Sequence, residues 1–340
     1  MAATLKDVAA LAGVSIKTVS NVVNGYGFVK PENRRRVEEA LAATGYRPNV
    51  GARNLRRGRT GFIALIVPEL SVPYFGELAS RIITAAQKHD WNVLIEQTQG
   101  VRDREREALA SLGPHMVDGA ILSPEALTAD DLAALPPNVP IVLLGEHSLD
   151  TTADHVAIDN VAAAQAAVTH LAALGRRRIA AIGANPRRGT AALRLAGYRA
   201  ALEAAGLPND PALIVPADKY HRHEGTRAMA ALLDLPEPPD AVFCFNDLLA
   251  IGALRAAADR GLRVPDDLAV VGFDDIEEGS YAIPRLTTIA PDKQGIAETA
   301  VALLHSRSSG DVDAEARDVQ TAFTLRIRES TPAVPRQSGS

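Results

Sequence analysis

The sequence predicts a small all-α head joined to a larger α/β body with two lobes. Helical spacing dominates the first 60 residues, whereas from residue 61 apolar runs of strand length alternate with helical stretches. The 340-residue chain has a net charge of −5, yet its first 60 residues hold 11 Lys and Arg against four acids, so the head carries +7 and the body −12. A basic head on an acidic body indicates that the head meets a polyanion; uneven surface charge is the alternative.

The head has the pattern of three short helices. Thr4 and Asp7 are spaced as a capping box before the first helix, and Gly13 suits its end. Ser15 can cap the second helix, and Pro31 suits the start of the third. Two short helices joined by a glycine-containing turn and braced by a third form a helix-turn-helix unit.

Several side chains of the second helix lie off its apolar stripe, namely Ile16, Lys17, Thr18, Ser20 and Asn21. Near a helix N-terminus, such side chains can reach base edges in a DNA major groove, and the terminal amides can bind phosphate. A solvated face of an ordinary helix bundle would show the same pattern, so spacing alone leaves both interpretations open.

Three segments of the head together resemble the lactose-repressor family of bacterial transcriptional regulators: TLKDVAALAGVSIKTVSNVVNG, VEEALAATGYRPN and ARNLRRGRTG. The resemblance implies that residues 15–24 form the recognition helix and that Ile16, Lys17 and Asn21 vary with operator sequence. The DNA-binding residues it predicts are Thr4, Ser15, Ile16, Lys17, Thr18, Ser20, Asn21, Asn24, Tyr46, Asn49, Ala52, Arg53, Leu55 and Arg56. Lys30 departs from the small polar residue often found before this proline, which predicts a less well capped third helix.

Residues 49–60 are predicted to form a hinge helix. Asn49 can cap about two helical turns, and so short a helix is marginal alone in water. The resemblance implies that two such helices, one per subunit, pack over the operator's minor groove, with Leu55 as an apolar wedge between base steps. Arg53, Arg56, Arg57 and Arg59 would then hold phosphates. A flexible basic linker is the alternative, and it explains the arginines but not the leucine.

The body shows seven apolar runs of strand length: FIALIVP, WNVLIEQ, VDGAILS, PIVLLGE, RIAAIGA, AVFCFND and LAVVGFDD. Continuous apolar strands that alternate with helices indicate parallel sheets covered on both faces. About 280 residues is long for one sheet, so two α/β lobes are expected.

Polar residues follow several strands of the body, among them Glu146, Asp159, Asn160, Asn246 and Asp274. Ligands of such sheets bind outside the carboxyl ends of the strands, where carboxylates and amides suit a ligand rich in hydroxyls. The alternative is that these residues cap the next helix. Capping is expected of Asp247 and Asp275, and ligand contact of Asn246 and Asp274.

The resemblance extends to about residue 330 through RLAGYRAAL, FNDLLAIGALRA, VVGFDD and LTTIAPD. It implies an effector-binding domain built like a periplasmic sugar-binding protein. The effector-binding residues predicted from strand ends and resemblance are Tyr74, Phe75, Glu146, Arg194, Tyr220, Asn246, Phe273 and Asp274. The aromatic rings could stack on a sugar, although each is also an acceptable core residue. Pro291 beside the cleft offers no side-chain hydrogen bond, which indicates a less common sugar or another ligand.

The predicted domains are a DNA-binding domain at 1–48, the hinge at 49–60, a two-lobed domain at 61–330 and a disordered tail at 331–340. The resemblance implies that lobe 1 takes about 61–160 and 291–320, and lobe 2 about 161–290 and 321–330. It also implies that the chain crosses between them three times, near Asp159, Thr288 and Phe323. The tail has no heptads, so a homodimer is expected without the family's tetramerising zipper.

The sequence favours neither an enzyme nor a bound metal or cofactor. Its eight histidines form no HExxH pattern, and the GxxxxGK[ST] and GxSxG motifs are missing. The HRH segment at 221–223 could bind a metal, but such a loop pair is more often solvated. A single cysteine, Cys244, and no evident secretory signal or membrane span predict a cytoplasmic, nucleoid-associated protein.

The sequence therefore predicts a ligand-responsive, sequence-specific DNA-binding transcriptional regulator, and a repressor in particular. Its expected partners are pseudo-palindromic double-stranded operator DNA, a sugar or sugar-derived effector and a second copy of the chain, with no membrane. A solute-binding protein is the alternative, against which the basic head argues. A sugar-modifying enzyme is a more distant one.

Overall fold

The computed structural model describes residues 3–23, 28–46, 59–134, 139–145, 153–185, 189–310 and 315–331. The chain divides into two compact units, residues 1–60 and 61–340, which are called the head and the body. No helix in these described ranges is long and apolar enough to cross a membrane.

The head contains helices α1 (Leu5–Ala12), α2 (Ile16–Val23) and α3 (Pro31–Thr44). Val8, Val19 and Val37 contribute one fully buried side chain from each helix to a shared core. The predicted capping box is present, because Thr4 and the residue three positions on exchange hydrogen bonds. Lys30 precedes α3 without a side-chain capping bond, as its departure from the family pattern predicts.

The described part of the body contains strands β1 (Phe62–Val67), β2 (Asn92–Gln97), β3 (Ala120–Leu122), β4 (Ile141–Leu144), β5 (Asp154–Ile158), β6 (Ile179–Ile182), β7 (Ile214–Val215), β8 (Ala241–Cys244), β9 (Ala269–Phe273), β10 (Thr287–Pro291), β11 (Asp318–Thr321) and β12 (Phe323–Arg326). Its helices are α4 (Pro73–Gln87), α5 (Arg102–Ser111), α6 (Ala129–Ala133), α7 (Asn160–Ala173), α8 (Gly189–Ala204), α9 (Arg222–Leu233), α10 (Asp247–Asp259), α11 (Glu277–Tyr281) and α12 (Lys293–Ser308).

These strands form two six-stranded sheets, ordered β11-β5-β4-β3-β1-β2 and β12-β10-β9-β8-β6-β7. Neighbours pair in parallel except β10 and β12, which are antiparallel. All seven predicted apolar runs form strands, and the predicted head and α/β fold class is confirmed. We call the first sheet with α4, α5, α6 and α12 lobe 1, and the second sheet with α7 to α11 lobe 2.

The expectation that the strands are covered on both faces is wrong for β2. Leu94 is 44% exposed and Ile95 is 40% exposed. The physical reason is position, because β2 lies at the edge of its sheet, where coverage by the flanking helices ends. An apolar run therefore identifies a strand here but not its place in the sheet.

The chain crosses between the lobes three times. It leaves lobe 1 at Asp159 after β5, returns at Asp292 after β10 and leaves again at Ala322 between β11 and β12. The second crossing lies beyond the predicted Thr288, because β10 continues to Pro291. Three short connections at one side leave the carboxyl ends of both sheets facing a shared cleft.

The predicted tail begins too early. Thr331 is only 1% exposed, and its hydroxyl lies 2.8 Å from His170 Nε2 and 2.9 Å from Thr287 Oγ1. These bonds attach Thr331 to lobe 2, so it is not part of a disordered tail. Residues 332–340 lie outside the described residues.

Candidate functional site

Helix α2 presents the side chains predicted to contact DNA. Ser15 Oγ accepts a hydrogen bond from the Thr18 N–H at 3.1 Å, which caps the helix start. Ile16 is 48% exposed and Lys17 is also exposed, whereas Thr18, Ser20 and Asn21 are partly exposed. The opposite face of α2 packs into the head core. The arrangement leaves an apolar and a basic side chain free to reach a groove.

Two further predicted DNA contacts, Thr4 and Tyr46, lie in the described part of the head but outside α2. Thr4 is exposed and occupied in capping α1, and Tyr46 packs partly buried against the head core. The remaining predicted contacts lie outside the described residues: Asn24, Asn49, Ala52, Arg53, Leu55 and Arg56.

The body contains a cleft of about 1260 Å³ of empty space, counting the part open to solvent. Seven predicted effector residues line it: Tyr74, Phe75, Arg194, Tyr220, Asn246, Phe273 and Asp274. Pro291 lines it too, and Glu146 lies outside the described residues. The structure thus brings together residues that are up to 200 positions apart in the chain, because both sheets end at this cleft.

Two hydrogen bonds and one aromatic ring fix the Arg194 side chain in the cleft. Its Nε donates to Asn160 Oδ1 at 3.0 Å and its Nη1 donates to the Phe245 carbonyl. Its guanidinium carbon lies 3.5 Å from the ring centroid of Phe273. Since Arg194 covers that face of Phe273, the predicted stacking of the ring on a sugar is not available there. The fixed guanidinium keeps its other nitrogen for a ligand.

Asp274 is the buried carboxyl group of the cleft, at 7% exposed. Burial raises the pKa of Asp274 to about 6, against the opposing influence of Arg194 and Lys293. The φ angles of Asp274 and Asp275 are 110° and 50°, a left-handed region that non-glycine residues adopt at a cost. The carboxyl of Asp274 can accept hydrogen bonds when ionised and donate one when protonated.

The capping roles predicted for Asp247 and Asp275 are wrong, whereas Asn246 and Asp274, for which ligand contact is predicted, line the cleft. Asn246 is the residue that caps α10, with Oδ1 accepting from the Leu249 N–H at 2.9 Å. Asp247 instead lies inside the helix, fully buried, and accepts from Thr288 Oγ1 at 2.6 Å. Asp275 caps no helix and pairs with Arg328 Nη2 at 2.6 Å. Strand β8 ends at Cys244, one residue earlier than the AVFCF run suggested, and α10 begins at Asp247, so the cap is Asn246 and not Asp247.

Aromatic side chains surround the cleft in two groups. Tyr74 and Phe75 begin α4 in lobe 1, and their ring centroids lie 5.4 Å apart in an edge-to-face arrangement. Burial raises the pKa of Tyr74 above its ordinary value, so this phenol stays neutral. Tyr220 comes from lobe 2 and donates its hydroxyl to the Gly183 carbonyl at 2.8 Å. Lobe 1 therefore contributes aromatic surface, while the Tyr220 hydroxyl is bound within lobe 2.

Further polar residues of the cleft were not predicted as effector contacts: Glu69, Gln99, Ser123, Glu125, Asn160, Thr190 and Lys219. Asn160 could have been found, because it follows β5 and was among the strand-end residues. Glu69, Gln99 and Ser123 follow β1, β2 and β3 in the same way, so the strand-end rule applied to lobe 1 would have identified them. No group of three or more metal-ligating side chains occurs within the described ranges.

Two family profiles match the chain. The profile described as bacterial regulatory proteins, lacI family, matches residues 4–49, and that of a periplasmic binding protein-like domain matches residues 168–331. The HTH-type transcriptional repressor CytR of Escherichia coli (strain K12) is 36% identical over 336 residues, which cover 98% of each chain.

Solved structures match over nearly the whole length. The lac repressor dimer bound to operator and the anti-inducer ONPF is 29% identical, with a TM-score of 0.86, over 98% of this chain and 100% of the other. The complex of the transcriptional regulator CelR with cellobiose is 32% identical, with a TM-score of 0.71, over 96% of this chain and 99% of the other.

Proposed function

Because this chain belongs to the lacI family of bacterial regulatory proteins, we propose that it is a dimeric transcriptional repressor whose operator affinity is set by a small molecule in the cleft. The observation that carries the proposal is the presence, in one chain, of an exposed α2 face and a ligand cleft built around Arg194 and Asp274. Its similarity to CytR, a repressor matched end to end, supports the same role.

We assign DNA recognition to residues 1–48, with Ile16, Lys17 and Asn21 as the side chains that read bases. Their exposure on the N-terminal part of α2 supports this assignment. A dimer places two such helices at a fixed spacing, so its operator is a pseudo-palindrome. DNA binding also supports a cytoplasmic, nucleoid-associated location.

We assign effector binding to residues 61 to about 331, with Arg194 and Asp274 as the polar contacts. An arginine with a free nitrogen beside a carboxyl group suits adjacent hydroxyls, since one donates and the other accepts. The CelR complex contains cellobiose, which supports a sugar as the class of effector. Pro291 offers no hydrogen bond at its position, so the sugar contacted there is expected to present an apolar edge.

A thermal-shift screen against a panel of sugars tests the effector assignment. A ligand that binds only the native state raises the apparent stability, so the effector is expected to raise the melting temperature by an amount that grows with the logarithm of its concentration relative to Kd. Arg194→Ala should remove that rise. A panel that includes mono- and disaccharides and produces no shift would reject a sugar effector.

We assign coupling to the hinge at 49–60, where Leu55 is the proposed minor-groove wedge. The support is sequence, because residues 49–58 lie outside the described residues. Leu55→Ala is expected to reduce operator bending and affinity. Gel-phasing measurements of the bend check this, and an unchanged bend angle would return the segment to the status of a linker.

A solute-binding protein without DNA affinity is the second candidate, which the two-lobed body alone would favour. The basic helix-turn-helix head opposes it. Footprinting on the adjacent upstream DNA separates the two: a repressor protects a palindromic site with strong salt dependence, and that protection changes with the effector. Sugar binding without any protected palindrome would establish the solute-binding protein instead.

A further inference from the structure

A contact between the two lobes crosses the mouth of the cleft. His221 Nε2 of lobe 2 lies 3.2 Å from Glu69 Oε2 of lobe 1. Glu69 lines the cleft, and His221 directly follows Lys219 and Tyr220, which line it from the other lobe. The side chains of the pair are 23% and 29% exposed, so the contact lies where the cleft meets solvent.

Glu69 is positioned for this contact by its own lobe. Ser71 Oγ donates to Glu69 Oε1 at 2.5 Å, and the Leu70 N–H donates to Gln97 Oε1 at 2.9 Å. The first bond orients the carboxylate, and the second ties the loop to the end of β2. As a result, Oε2 faces lobe 2.

His221 does not cap the helix that follows it. It precedes α9 at a position where Ser, Thr, Asp or Asn is favoured, since an oxygen there accepts from the first turn, yet its side chain makes no capping bond. The charged groups beside it are directed within lobe 2, because Arg222 contacts Glu278 at 3.0 Å and His223 contacts Glu224 at 3.4 Å. The HRH segment also belongs to no three-ligand metal cluster of the described residues.

We propose that Glu69 and His221 form a clasp that closes the mouth of the cleft and retains the effector. This rests on the effector role proposed for the cleft. A partly exposed pair of this kind shifts the ratio of closed to open molecules by about twofold to fivefold.

Spin-label distances measure the clasp without any sugar. Labels at Ala110→Cys in α5 and Ala231→Cys in α9 occupy exposed positions on opposite lobes, and Cys244 is fully buried. Full-length labelled protein is mixed with excess unlabelled protein so that distances within one subunit are read. His221→Ala is expected to raise the open-to-closed ratio about twofold to fivefold.

His223→Ala is the matched control. Its imidazole stacks beside that of His221, with ring centroids 5.7 Å apart, but it pairs with Glu224 of its own helix and should change the distances much less than His221→Ala. An unchanged distance distribution in His221→Ala, or an equal change in His223→Ala, would overturn the clasp. Cellobiose serves as the ligand probe, and its release from His221→Ala is expected to be about twofold to fivefold faster. If the distances change as expected and cellobiose does not bind, the clasp stands and the assignment of this sugar fails.

Discussion

The two lobes contribute unlike surfaces to the cleft. Lobe 2 provides polar groups already fixed by bonds within the lobe, such as Arg194 on Asn160 and Asn246 on α10. The interior surface of lobe 1 is mainly apolar, formed by Val72, Tyr74, Phe75, Leu78, Leu144, Val156 and Ile158. Its charged and amide groups, such as Glu69, lie on strand-end loops. This difference indicates that lobe 2 can select the pattern of hydroxyls on a ligand, while lobe 1 covers the ligand with apolar surface.

The largest expected effect comes from the fixed polar group of lobe 2. Arg194→Ala should weaken sugar binding by at least about 100-fold, because it removes a charged donor and leaves the Asn160 and Phe245 oxygens unpaired. Operator affinity without sugar should remain, as measured by fluorescence anisotropy. Arg199→Ala on the exposed side of the same helix is the control. A full sugar response in Arg194→Ala would show that the ligand contacts lie elsewhere.

The pH dependence of sugar binding tests the second polar group of lobe 2. Burial raises the pKa of Asp274 to about 6, so the carboxylate predominates above that pH and accepts hydroxyl hydrogen bonds. Affinity should fall about tenfold as the pH drops from 7 to 5, and calorimetric titration of wild type and Asp274→Asn checks this. Only the wild type should show the full fall; identical profiles would exclude Asp274 as its source.

The raised pKa of Asp274 has the opposite effect on folding stability, which it increases at low pH. Because the folded state binds this proton more tightly than the unfolded chain does, the contribution of Asp274 to stability is present at low pH. It is lost as the pH rises from about 4 to about 6. Sugar affinity and this part of the free energy of unfolding should therefore move in opposite directions over the same pH window.

Removal of an apolar side chain from lobe 1 is expected to weaken sugar binding less than Arg194→Ala does, and to affect all sugars alike. Phe75→Ala removes ring area beside Tyr74 and should weaken binding of every accepted sugar by about tenfold. The ranking of sugars should stay that of the wild type, as a calorimetric comparison across the panel can measure. A changed ranking would contradict the separation of selection from closure between the lobes.

The smallest expected effect lies outside both lobes. Lys17→Ala should alter base preference by about fivefold at a few operator positions, as measured by selection from randomised DNA. Lys6→Ala, on an exposed part of α1, is the control. Uniform loss over all sequences would mark Lys17 as a phosphate contact instead.

Elements with strong local patterns could be predicted from the sequence. The valine stripe of α2, the capping box at Thr4 and the seven apolar runs each depend on neighbours a few residues away. Five strands lie outside the seven predicted runs: β5, β7, β10, β11 and β12. Of these, β7, β11 and β12 are short or carry alternating polar residues at sheet edges. Their pairing comes from the rest of the sheet and has no local apolar signal.

The site was harder to predict in detail than in outline. Asn246 caps α10 in place of Asp247 because of a one-residue difference in where β8 ends. No local sequence pattern shows where β8 ends and α10 begins. The approach of Glu69 to His221 joins loops of different lobes and depends on how the sheets are placed. Strand-end polarity predicted which edge binds a ligand, but not which side chains already have partners.

Effector binding in the cleft is proposed to change operator affinity, and paired titrations measure this coupling. Operator affinity is measured with and without the sugar found by thermal shift, and sugar affinity with and without operator. Linkage requires the two ratios to be equal, and a ratio of about 5 to 150 is expected. If operator affinity stays the same at saturating concentrations of a sugar bound in the cleft, the cleft and the operator are not coupled.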